Sequence, residues 1–422
     1  MSSPATTEPI PAQLPENYSG QLAYQRPGDE RWLPQSESAF KVIHGVDSLD
    51  QQAVDRLASN RQILSDLLSG ALQYTNLGFF AGSGTSLGAA GGPSMWQLWV
   101  AAMCRDSTGG ELTPEAQQVC ESIHYTERDR PNIEHFLSQC DAYLAFNADS
   151  VVEAFVVSVK KKILDLCTAF LKSERSDISA YRYLLQKLAR RRVRDPRLKV
   201  FTTNYDMCFE TAASDLGMMV VDGFSYTRRR RFDARHFSYD VVRRDADHHD
   251  FVEGVFHLHK LHGSVSWERS NNEVFEAENP AAEKACLIYP AKGKYQQAFL
   301  QPHLELLSRF LDFLRQPNTC LVTAGFGFND DHLSEPIYSA IQANPSLKLV
   351  LTDHRCIEHV HNNGHHGSSP YWGRFAELAR RGFDIHFIGG PFSEVVDRIP
   401  SLRAVSPAEQ LADAVRRIGG RS

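Results

Sequence analysis

Paired cysteines are missing from this sequence, and their absence bears on metal binding. The 422 residues include eight cysteines, but no two of them stand in a C-x-x-C spacing. A structural zinc site usually needs such pairs, so none is expected here. In a reducing compartment these cysteines are most simply small, buried hydrophobic side chains.

Long hydrophobic runs and a secretion signal are also missing. No run approaches the roughly 18 apolar residues of a membrane span, and the first residues lack the basic-then-apolar pattern of a signal peptide. We therefore expect a cytoplasmic protein with no membrane contact. The net charge of −6 argues against a generally basic, nucleic-acid-coating surface, although it leaves room for local basic patches.

The composition is that of a folded protein with a short arm at each end. Hydrophobic residues make up 42% of the chain and charged residues 23%, which excludes global disorder. Residues 1–38 hold six prolines and few apolar clusters, which predicts a flexible or extended arm. We expect one domain over residues 39–403 and a C-terminal helix over residues 404–422.

Short apolar runs predict the strands of a buried parallel sheet, and hence an α/β fold. Most runs end in a loop containing Gly, Asn, Asp or His, and ligands on such sheets gather at the carboxyl ends of the strands. Residues 95–198, between the first two runs, have helical patterns and predict a large inserted helical layer. The predicted strands are Leu77–Ala81, Val200–Thr203, Val255–Leu261, Cys286–Tyr289, Thr319–Ala324, Leu347–Thr352 and Phe383–Ile388.

A glycine-containing loop directly follows the first predicted strand. It reads Gly82-Ser83-Gly84-Thr85-Ser86, and paired glycines let a backbone approach phosphate oxygens closely. The loop matches neither G-x-G-x-x-G nor a P-loop. A strand-end turn with no ligand is an equally good interpretation of this segment alone.

Polar residues follow the second and third predicted strands. Asn204 and Asp206 stand where a sheet presents side chains to a cleft, although Asp206 alone is more simply a helix cap. His262 stands at a strand end beside Gly263, a suitable position for a general base. His257 and His259, within that strand, are more simply structural residues.

Two later strands also end in candidate binding residues. Gly325-Phe326-Gly327 permits close approach to a ligand, and the acids and His332 that follow begin a helix. Asp353 ends the next strand, where a carboxylate can accept hydrogen bonds from ribose hydroxyls, and a cap or surface role is equally consistent.

Two further clusters are weaker candidates. The histidines of residues 354–366 stand with Cys356 in a segment rich in Asn, Gly and Ser, which favours a flexible loop over a metal site. The basic runs at residues 190–194 and 228–231 are most simply solvated faces, with contact to an acidic partner or to DNA as the alternative.

The order of these motifs resembles the sirtuins. Sirtuins carry a Gly-Ala-Gly-x-Ser loop, a Thr-Gln-Asn-x-Asp motif and a His-Gly motif in this order. Here residues 82–86, Thr203-Asn204-Tyr205-Asp206 and His262-Gly263 occupy those places, and the resemblance spans about residues 75–355. It implies a Rossmann-like parallel sheet of the sirtuin type, with the helical layer inserted after the first strand.

Departures from the sirtuin pattern indicate which activity to expect. Deacylating sirtuins have a four-cysteine zinc ribbon after the His-Gly motif, and this sequence has no such cysteines. Thr203 stands where their motif has Gln, and Ser94-Met95 replaces the Phe-Arg after their Gly-x-Pro. With those features gone, water is the natural acceptor, so the expected reaction is hydrolysis of NAD⁺ to nicotinamide and ADP-ribose, with no structural zinc.

Cleavage of NAD⁺ sets modest demands on catalytic residues, because nicotinamide leaves as a neutral group without a strong general acid. A held ribose, a shielded oxocarbenium-like transition state and one activated water are sufficient. We expect Asn204 to orient water or ribose and His262 to accept a proton from water or a ribose hydroxyl. Asp206 is expected to orient the nicotinamide side or to steady the developing positive charge. NAD⁺ binding is expected from Gly82, Ser83, Gly84, Thr85, Ser86, Thr203, Gly325, Phe326, Gly327 and Asp353.

The Thr-Thr-Asn-Tyr-Asp variant, together with residues 258–264 and 287–290 and the Gly-Phe-Gly-Phe loop, is similar to bacterial antiphage sirtuin-like NADases. The nearest resemblance is to the sirtuin-like subunit of a two-gene system. That family implies a homo-oligomeric ring stacked on a HerA-type hexameric ATPase, with DNA reached through this partner. The alternatives are a non-catalytic module that senses NAD or ADP-ribose, and a nuclease subunit active only with the ATPase.

Overall fold

The protein is built around one large sheet with helices on both faces. The structure, a computed structural model, describes residues 18–127, 132–191, 195–245, 248–287, 301–362 and 368–401. In this part of the chain the sheet has nine strands in the order β2-β1-β14-β13-β12-β3-β4-β8-β5. The strands from β14 to β5 run parallel, and β1 and β2 are antiparallel additions at one edge.

The strands of this sheet agree well with the apolar runs of the sequence. Six of the seven predicted strands lie in it, which confirms the α/β fold class with a large parallel sheet. The sheet strands are β1 Ala23–Gln25, β2 Leu33–Pro34, β3 Asn76–Ala81, β4 Leu198–Thr202, β5 Met219–Val221, β8 Val255–Lys260, β12 Thr319–Ala324, β13 Leu347–Asp353 and β14 Ile385–Gly389.

Cys286–Tyr289 is the predicted strand that does not belong to the parallel sheet. Residues Ala285–Leu287 instead form β11, in a small antiparallel sheet with β9 (Gly263–Ser270) and β10 (Glu273–Glu276). A short apolar run does not show which strand it pairs with. Here it pairs antiparallel with β9. A separate hairpin joins β6 (Val242–Asp245) to β7 (His248–Phe251).

Alternating side chains of the parallel strands build two cores, one on each face of the sheet. Phe80, Phe201 and Leu321 point to one face, and their neighbours Phe79, Val200 and Val322 point to the other. The described helices are α1 Glu37–His44, α2 Gln51–Ala71, α3 Met95–Met103, α4 Pro114–Ser122, α5 Ile133–Leu144, α6 Ser150–Ala169, α7 Ser179–Leu188, α8 Cys208–Leu216, α9 His303–Arg315, α10 Asp331–Ala343, α11 Cys356–His361, α12 Pro370–Arg380 and α13 Phe392–Arg398.

The helices divide between these two faces and a separate module. Helices α9 to α12 cover the first face, and α2, α7, α8 and α13 cover the second. Helices α3 to α6 form their own core, which also contains Tyr205 and Val265; we call residues 95–169 the helical module. The predicted layer over 95–198 is thus divided, because α7 buries Tyr181, Leu184 and Leu188 against the sheet.

The predicted flexible arm over residues 1–38 differs from the structure where the structure describes it. Residues 18–38 are folded, with Leu22 and Trp32 buried. β1 pairs antiparallel with β14, so this segment covers what would otherwise be an open sheet edge. The aromatic side chains Tyr18, Tyr24 and Trp32 supply the apolar surface that makes ordering favourable despite the prolines.

Some predictions lie outside the described residues. These are residues 1–17 of the arm, the C-terminal helix over 404–422, and residues 288–290 of the motif at 287–290. Within the described residues, no helix combines the length and apolarity that crossing a bilayer requires.

Candidate functional site

The predicted site residues follow neighbouring strands at one edge of the sheet. The strands β13, β12, β3, β4 and β8 are adjacent, and Asp353, Gly325, Gly82, Asn204 and His262 lie at or just beyond their carboxyl ends. The chain adds strands on one side of β3 and later returns to β12 on its other side. This reversal is a topological switch point, where open α/β sheets bind their ligands.

The two glycine loops contact each other at this switch point. The Gly84 N–H donates to the carbonyl of Gly325 over 2.9 Å, and a Cβ on Gly84 would lie 2.6 Å from the Gly325 Cα. The N–H groups of Gly82, Thr85 and Ser86 also donate to backbone carbonyls. These glycines therefore allow close loop packing, whereas Ser83 is exposed. Phosphate binding by residues 82–86 stays a prediction.

This contact predicts that a side chain at position 84 destabilises the fold. We expect Gly84→Ala to lower the free energy of unfolding by about 1–3 kcal/mol, because the added Cβ would meet backbone atoms of Gly325. The matched control is Gly70→Ala in α2, where nothing lies within 4 Å of an added Cβ. That change should raise stability by up to about 0.5–1 kcal/mol in urea unfolding. Equal effects of the two substitutions would contradict the assigned packing.

Asn204 is held in one orientation by hydroxyl groups. Its Nδ2 donates to the Thr85 Oγ1 and to the Ser86 Oγ, each over 3.2 Å. Tyr181 fixes Thr85 in turn by donating its hydroxyl hydrogen to Thr85 Oγ1 over 2.9 Å. Asn204 is only 8% exposed, and among the described residues its Oδ1 has no hydrogen-bond partner. A buried amide oxygen without a partner is costly unless a ligand or water completes it.

Asp206 lies in the same turn as Asn204, but its side chain makes a hydrogen bond that supports the fold. Its Oδ1 accepts the N–H of Cys208 over 3.0 Å, which satisfies a free amide at the start of α8. Lys260, at the end of β8, donates to the backbone carbonyl of Asp206 and to Glu210 Oε1, the latter over 2.9 Å. The buried Lys260 therefore ties β8 to the turn that carries Asn204.

His262 is buried and contacts a second histidine. Its Nε2 lies 3.2 Å from the Nε2 of His332, and the two rings stack. Burial lowers the pKa of His262 well below its ordinary value, and the His332 and His303 rings lower it further. Burial also lowers the pKa of His332 to about 4. Both rings are therefore neutral at pH 7, and one donates its N–H to the other.

Two carboxyl groups beside these residues have raised pKa values. Burial raises the pKa of Glu134 to about 8, and the Asp330 carboxylate adds to that shift. Burial raises the pKa of Asp330 to about 7, with a smaller contribution from Asp331. Tyr205 donates its hydroxyl hydrogen to Glu134 Oε1 over 2.8 Å. Burial therefore raises the pKa of both acids and favours their neutral forms; we call Glu134 and Asp330 the acid pair.

The acid pair makes stability depend on pH in a defined direction. A carboxyl group whose pKa is raised by folding stabilises the fold below its ordinary pKa, and that contribution is lost as pH rises through the folded value. We expect the contribution of these two acids to the free energy of unfolding to fall between about pH 5 and 8. Buried histidines such as His262 and His332 act in the opposite direction up to about pH 6.5, so the quantity to compare is the difference in unfolding free energy between the wild type and the double variant Glu134→Gln/Asp330→Asn. Measured by urea unfolding at each pH, this difference should shift in favour of the variant as pH rises, and a difference that does not change with pH would show that these acids ionise normally.

Two further predicted binding residues, Phe326 and Asp353, lie at the ends of β12 and β13. Phe326 is buried against Phe80, with ring centroids 4.6 Å apart, so its side chain supports the loop from below. Asp353 Oδ1 accepts the N–H of Arg355 over 2.8 Å at the start of α11, and His359 Nε2 lies 3.5 Å from the same oxygen. Contact with ribose by Asp353 stays a prediction.

Several described arginines of the two basic runs make contacts within the protein. Arg230 pairs with Asp222 and Glu276, Arg231 pairs with Glu273, and the Arg229 guanidinium lies 3.9 Å from the Phe275 ring centroid. The buried Arg191 donates to the carbonyls of Tyr74, Thr75 and Pro196. These contacts agree with structural roles for Arg191, Arg229, Arg230 and Arg231.

No group of three or more His, Cys, Asp or Glu side chains is placed to hold a metal ion among the residues that the structure describes. Part of the histidine-rich segment, residues 363–367, lies outside them. Of its described histidines, His359 stacks on Trp372 and its Nδ1 lies 2.6 Å from Ser368 Oγ.

Sequence reasoning missed several residues of the site because, in the sequence, they look like ordinary helix and strand residues. Glu134 reads as an acidic residue in the first turn of a helix, and Tyr181 as a core aromatic. Lys260 lies inside an apolar strand, where only its charge distinguishes it. An unpaired lysine in such a run can indicate a buried ion pair.

Part of the chain is similar to a known family model. Residues 198–358 match the model of the SIR2-like domain. This segment includes Asn204, Asp206, His262, Gly325 and Asp353, and it excludes the loop at 82–86. No curated protein sequence matches the chain significantly.

Solved structures of Sir2 proteins resemble the fold at low sequence identity. A mutant Sir2 homologue in complex with 2'-O-acetyl ADP ribose is 13% identical with a TM-score of 0.39, over 84% of this chain and 96% of that one. A structure described for the mechanism and regulation of Sir2 enzymes is 12% identical with a TM-score of 0.38, over 84% and 98%. A Sir2 homologue–NAD complex is 13% identical with a TM-score of 0.37, over 84% and 94%.

Proposed function

We propose that this protein hydrolyses the nicotinamide–ribose bond of NAD⁺ and releases nicotinamide and ADP-ribose. The observation that carries the proposal is the Asn204 side chain, which is buried and fixed through Nδ2 while its Oδ1 has no partner in the described structure. An oriented acceptor of this kind can hold the attacking water or a ribose hydroxyl. The SIR2-like match over residues 198–358 supports NAD⁺ as the substrate.

The proton of the attacking water goes to a neutral histidine in this account. His262 follows the strand next to that of Asn204, and its lowered pKa keeps it unprotonated at pH 7. A proton accepted by His262 can be shared with His332 across the 3.2 Å contact between their Nε2 atoms. The acidic side chain of Asp331 favours the charged form of His332. The proton can therefore pass from His262 to His332, away from the reacting carbon.

The remaining loops would hold the substrate around this centre. The pyrophosphate is assigned to residues 82–86, with the exposed Ser83 hydroxyl as a donor. Gly325, Gly327 and Asp353 are assigned to the adenosine half, and Thr203 and Asp206 to the nicotinamide side. Water is the acceptor, because the sequence has no zinc ribbon cysteines and lacks the sirtuin Phe-Arg.

In the cell we assign the protein to antiphage defence as an effector that depletes NAD⁺. Its partner is a HerA-type hexameric ATPase, on which a homo-oligomeric ring of this chain stacks, and any DNA is reached through the ATPase. The support is the resemblance of the Thr202–Asp206 and Gly325–Phe328 motifs to such systems.

Two measurements test the proposal. The purified protein, alone and with the ATPase, is incubated with NAD⁺, and nicotinamide and ADP-ribose are quantified; equimolar products are expected from at least one preparation. Binding of ADP-ribose with no cleavage in either would instead identify a non-catalytic sensing module. Native mass spectrometry should show an oligomer and its complex with the ATPase, and a monomer in both samples would refute the assembly.

A further inference from the structure

The Asn204 amide lies against two hydroxyl groups whose hydrogens are already committed. Thr85 Oγ1 donates its hydrogen to the carbonyl of Gly82 over 2.8 Å, and Ser86 Oγ donates to the carbonyl of Ser83 over 3.3 Å. A carbonyl oxygen can only accept, and a hydroxyl group carries one hydrogen. Toward every other neighbour, Thr85 Oγ1 and Ser86 Oγ are therefore acceptors.

This count of hydrogens fixes which end of the Asn204 amide faces the hydroxyl groups. Two acceptors have to be met by the NH₂ group, whose two hydrogens match the two oxygens, each 3.2 Å from Nδ2. The reverse orientation would bring the lone pairs of Oδ1 against two acceptors. The amide therefore has one favourable orientation, with Oδ1 turned away from both hydroxyl groups and without a partner among the described residues.

Tyr181 completes this arrangement from α7. Its hydroxyl group donates to Thr85 Oγ1 over 2.9 Å, so the one hydrogen and both lone pairs of that oxygen are used. The Tyr181 ring is fixed in turn by edge-on packing against Phe209 and Phe392, at centroid distances of 4.9 and 5.3 Å. Because Tyr181 and Thr85 are both buried, bulk water does not compete for these bonds.

The backbone of Asn204 is held in the same way as its side chain. Thr202 Oγ1 donates to the carbonyl of Ala81 over 2.9 Å and accepts the N–H of Asn204 over 3.0 Å. Three hydroxyl groups thus join the carbonyls of residues 81, 82 and 83 to Asn204. The end of β3 and the loop that follows it therefore determine both the position and the orientation of this asparagine.

We infer that Thr85 and Tyr181 are positioning residues that lock Asn204 with its Oδ1 available to the attacking water or ribose hydroxyl. This inference rests on the proposed function and concerns the same site. The Thr85 hydroxyl has no hydrogen left for a phosphate oxygen, so its role differs from the pyrophosphate contact assigned to the loop as a whole. Because a preoriented acceptor needs no rearrangement during the reaction, its loss is expected to lower kcat and to leave KM unchanged.

Substitutions of single hydroxyl groups test this role in steady-state NAD⁺ cleavage. Thr85→Val replaces the hydroxyl by a methyl group, and kcat should fall about tenfold, as expected for one lost hydrogen bond, with KM within about twofold of wild type. Thr85→Ser keeps the hydroxyl and should retain kcat within about threefold. Tyr181→Phe removes one donor but leaves the bonds to Asn204, so its loss should be smaller than that of Thr85→Val.

Thr323→Val is the matched control for these substitutions. Thr323 is a buried threonine of β12, the strand beside β3, and its Oγ1 has no hydrogen-bond partner in the described part of the chain. The same exchange of hydroxyl for methyl should therefore leave both kcat and KM as in the wild type. A loss equal to that of Thr85→Val would show that any buried threonine of the sheet gives this effect.

Asn204→Asp tests the orientation of the amide. The substitution keeps the shape of the side chain but replaces the NH₂ group by oxygen, and an ionised carboxylate only accepts hydrogen bonds. It would face two hydroxyl groups that also only accept, so kcat should fall as far as in Asn204→Ala. Activity of Asn204→Asp close to wild type would mean that Oδ1 faces the hydroxyl groups, which contradicts the inference.

A double-mutant cycle decides whether Thr85 acts through Asn204. In the Asn204→Ala background, Thr85→Val should lower the residual kcat by less than about twofold, because the group it positions is already gone. The same cycle in urea unfolding measures the coupling without catalysis, and there the costs of the two substitutions should not add. Tyr181→Phe takes the place of Thr85→Val in both cycles if that variant does not fold.

The outcomes separate this inference from the proposed function. If the wild type cleaves NAD⁺ but the tenfold loss persists undiminished in the Asn204→Ala background, Thr85 acts independently, so the inference fails and the function stands. A raised KM with unchanged kcat in Thr85→Val overturns it as well. If the wild type releases no nicotinamide, alone or with the ATPase, the function and the positioning role fail together, and additive costs in the unfolding cycle would also remove the lock on Asn204.

Discussion

Asn204→Ala is expected to lower kcat for NAD⁺ cleavage by about 10²–10³-fold, the usual cost of removing one fixed polar group from a catalytic site. The alanine removes the oriented Oδ1, so neither water nor ribose is held for attack. KM should change little, since the loops at 82–86 and 325–327 are assigned most of the binding. Nicotinamide release at saturating NAD⁺ measures the effect.

The control for this change is another asparagine of the same edge. Asn329 lies in the loop before α10 with an exposed side chain, and Asn329→Ala should retain wild-type activity. Thermal unfolding of both variants separates lost chemistry from lost folding. Nicotinamide release by a folded Asn204→Ala within twofold of wild type would remove Asn204 from the mechanism.

His262→Ala is expected to lower kcat/KM by about 10²–10⁴-fold, the contribution typical of a general base. Because burial keeps the pKa of His262 well below its ordinary value, its neutral form is present throughout pH 6 to 8. The loss should therefore be seen over this whole range, not only at its acidic end. Added imidazole should restore part of the activity by occupying the space of the missing ring.

Variants of other histidines separate the base from its neighbours. His332→Ala keeps the base but removes the ring to which His262 passes its proton, so a loss smaller than that of His262→Ala, of about tenfold, is expected. His44→Ala is the control, because His44 ends α1 and makes its ring contact with Phe40. Equal losses in His262→Ala and His44→Ala would contradict a catalytic role for His262.

The central strands were predictable because each buries an apolar run between two helical layers. Thr319–Ala324 and Leu77–Ala81 agree with β12 and nearly with β3. The prediction missed β5, since Met219–Val221 is too short to show a pattern. It also misplaced Cys286–Tyr289, because apolarity does not specify the direction or the partner of a strand. Residues 18–38, which hold two of the six prolines of the predicted arm, show that such a segment still folds when aromatic side chains anchor it to a sheet edge.

The candidate site was predictable where it depends on strand ends and not where it depends on contacts between distant elements. Asn204 and His262 follow apolar runs directly, so parallel topology alone brings them to one edge. The bond from Tyr205 to Glu134 depends on how the helical module packs, which periodicity does not describe. The same holds for the support of Thr85 by Tyr181.

Hydrolysis in water enriched in ¹⁸O tests the central claim most directly. The protein, alone and with the HerA-type ATPase, is incubated with NAD⁺ and no acylated peptide, and the products are weighed by mass spectrometry. The account predicts free nicotinamide and ADP-ribose carrying one ¹⁸O at C1', with the yield lost in Asn204→Ala and His262→Ala. Intact NAD⁺ in both preparations, or ADP-ribose without the label, would contradict it.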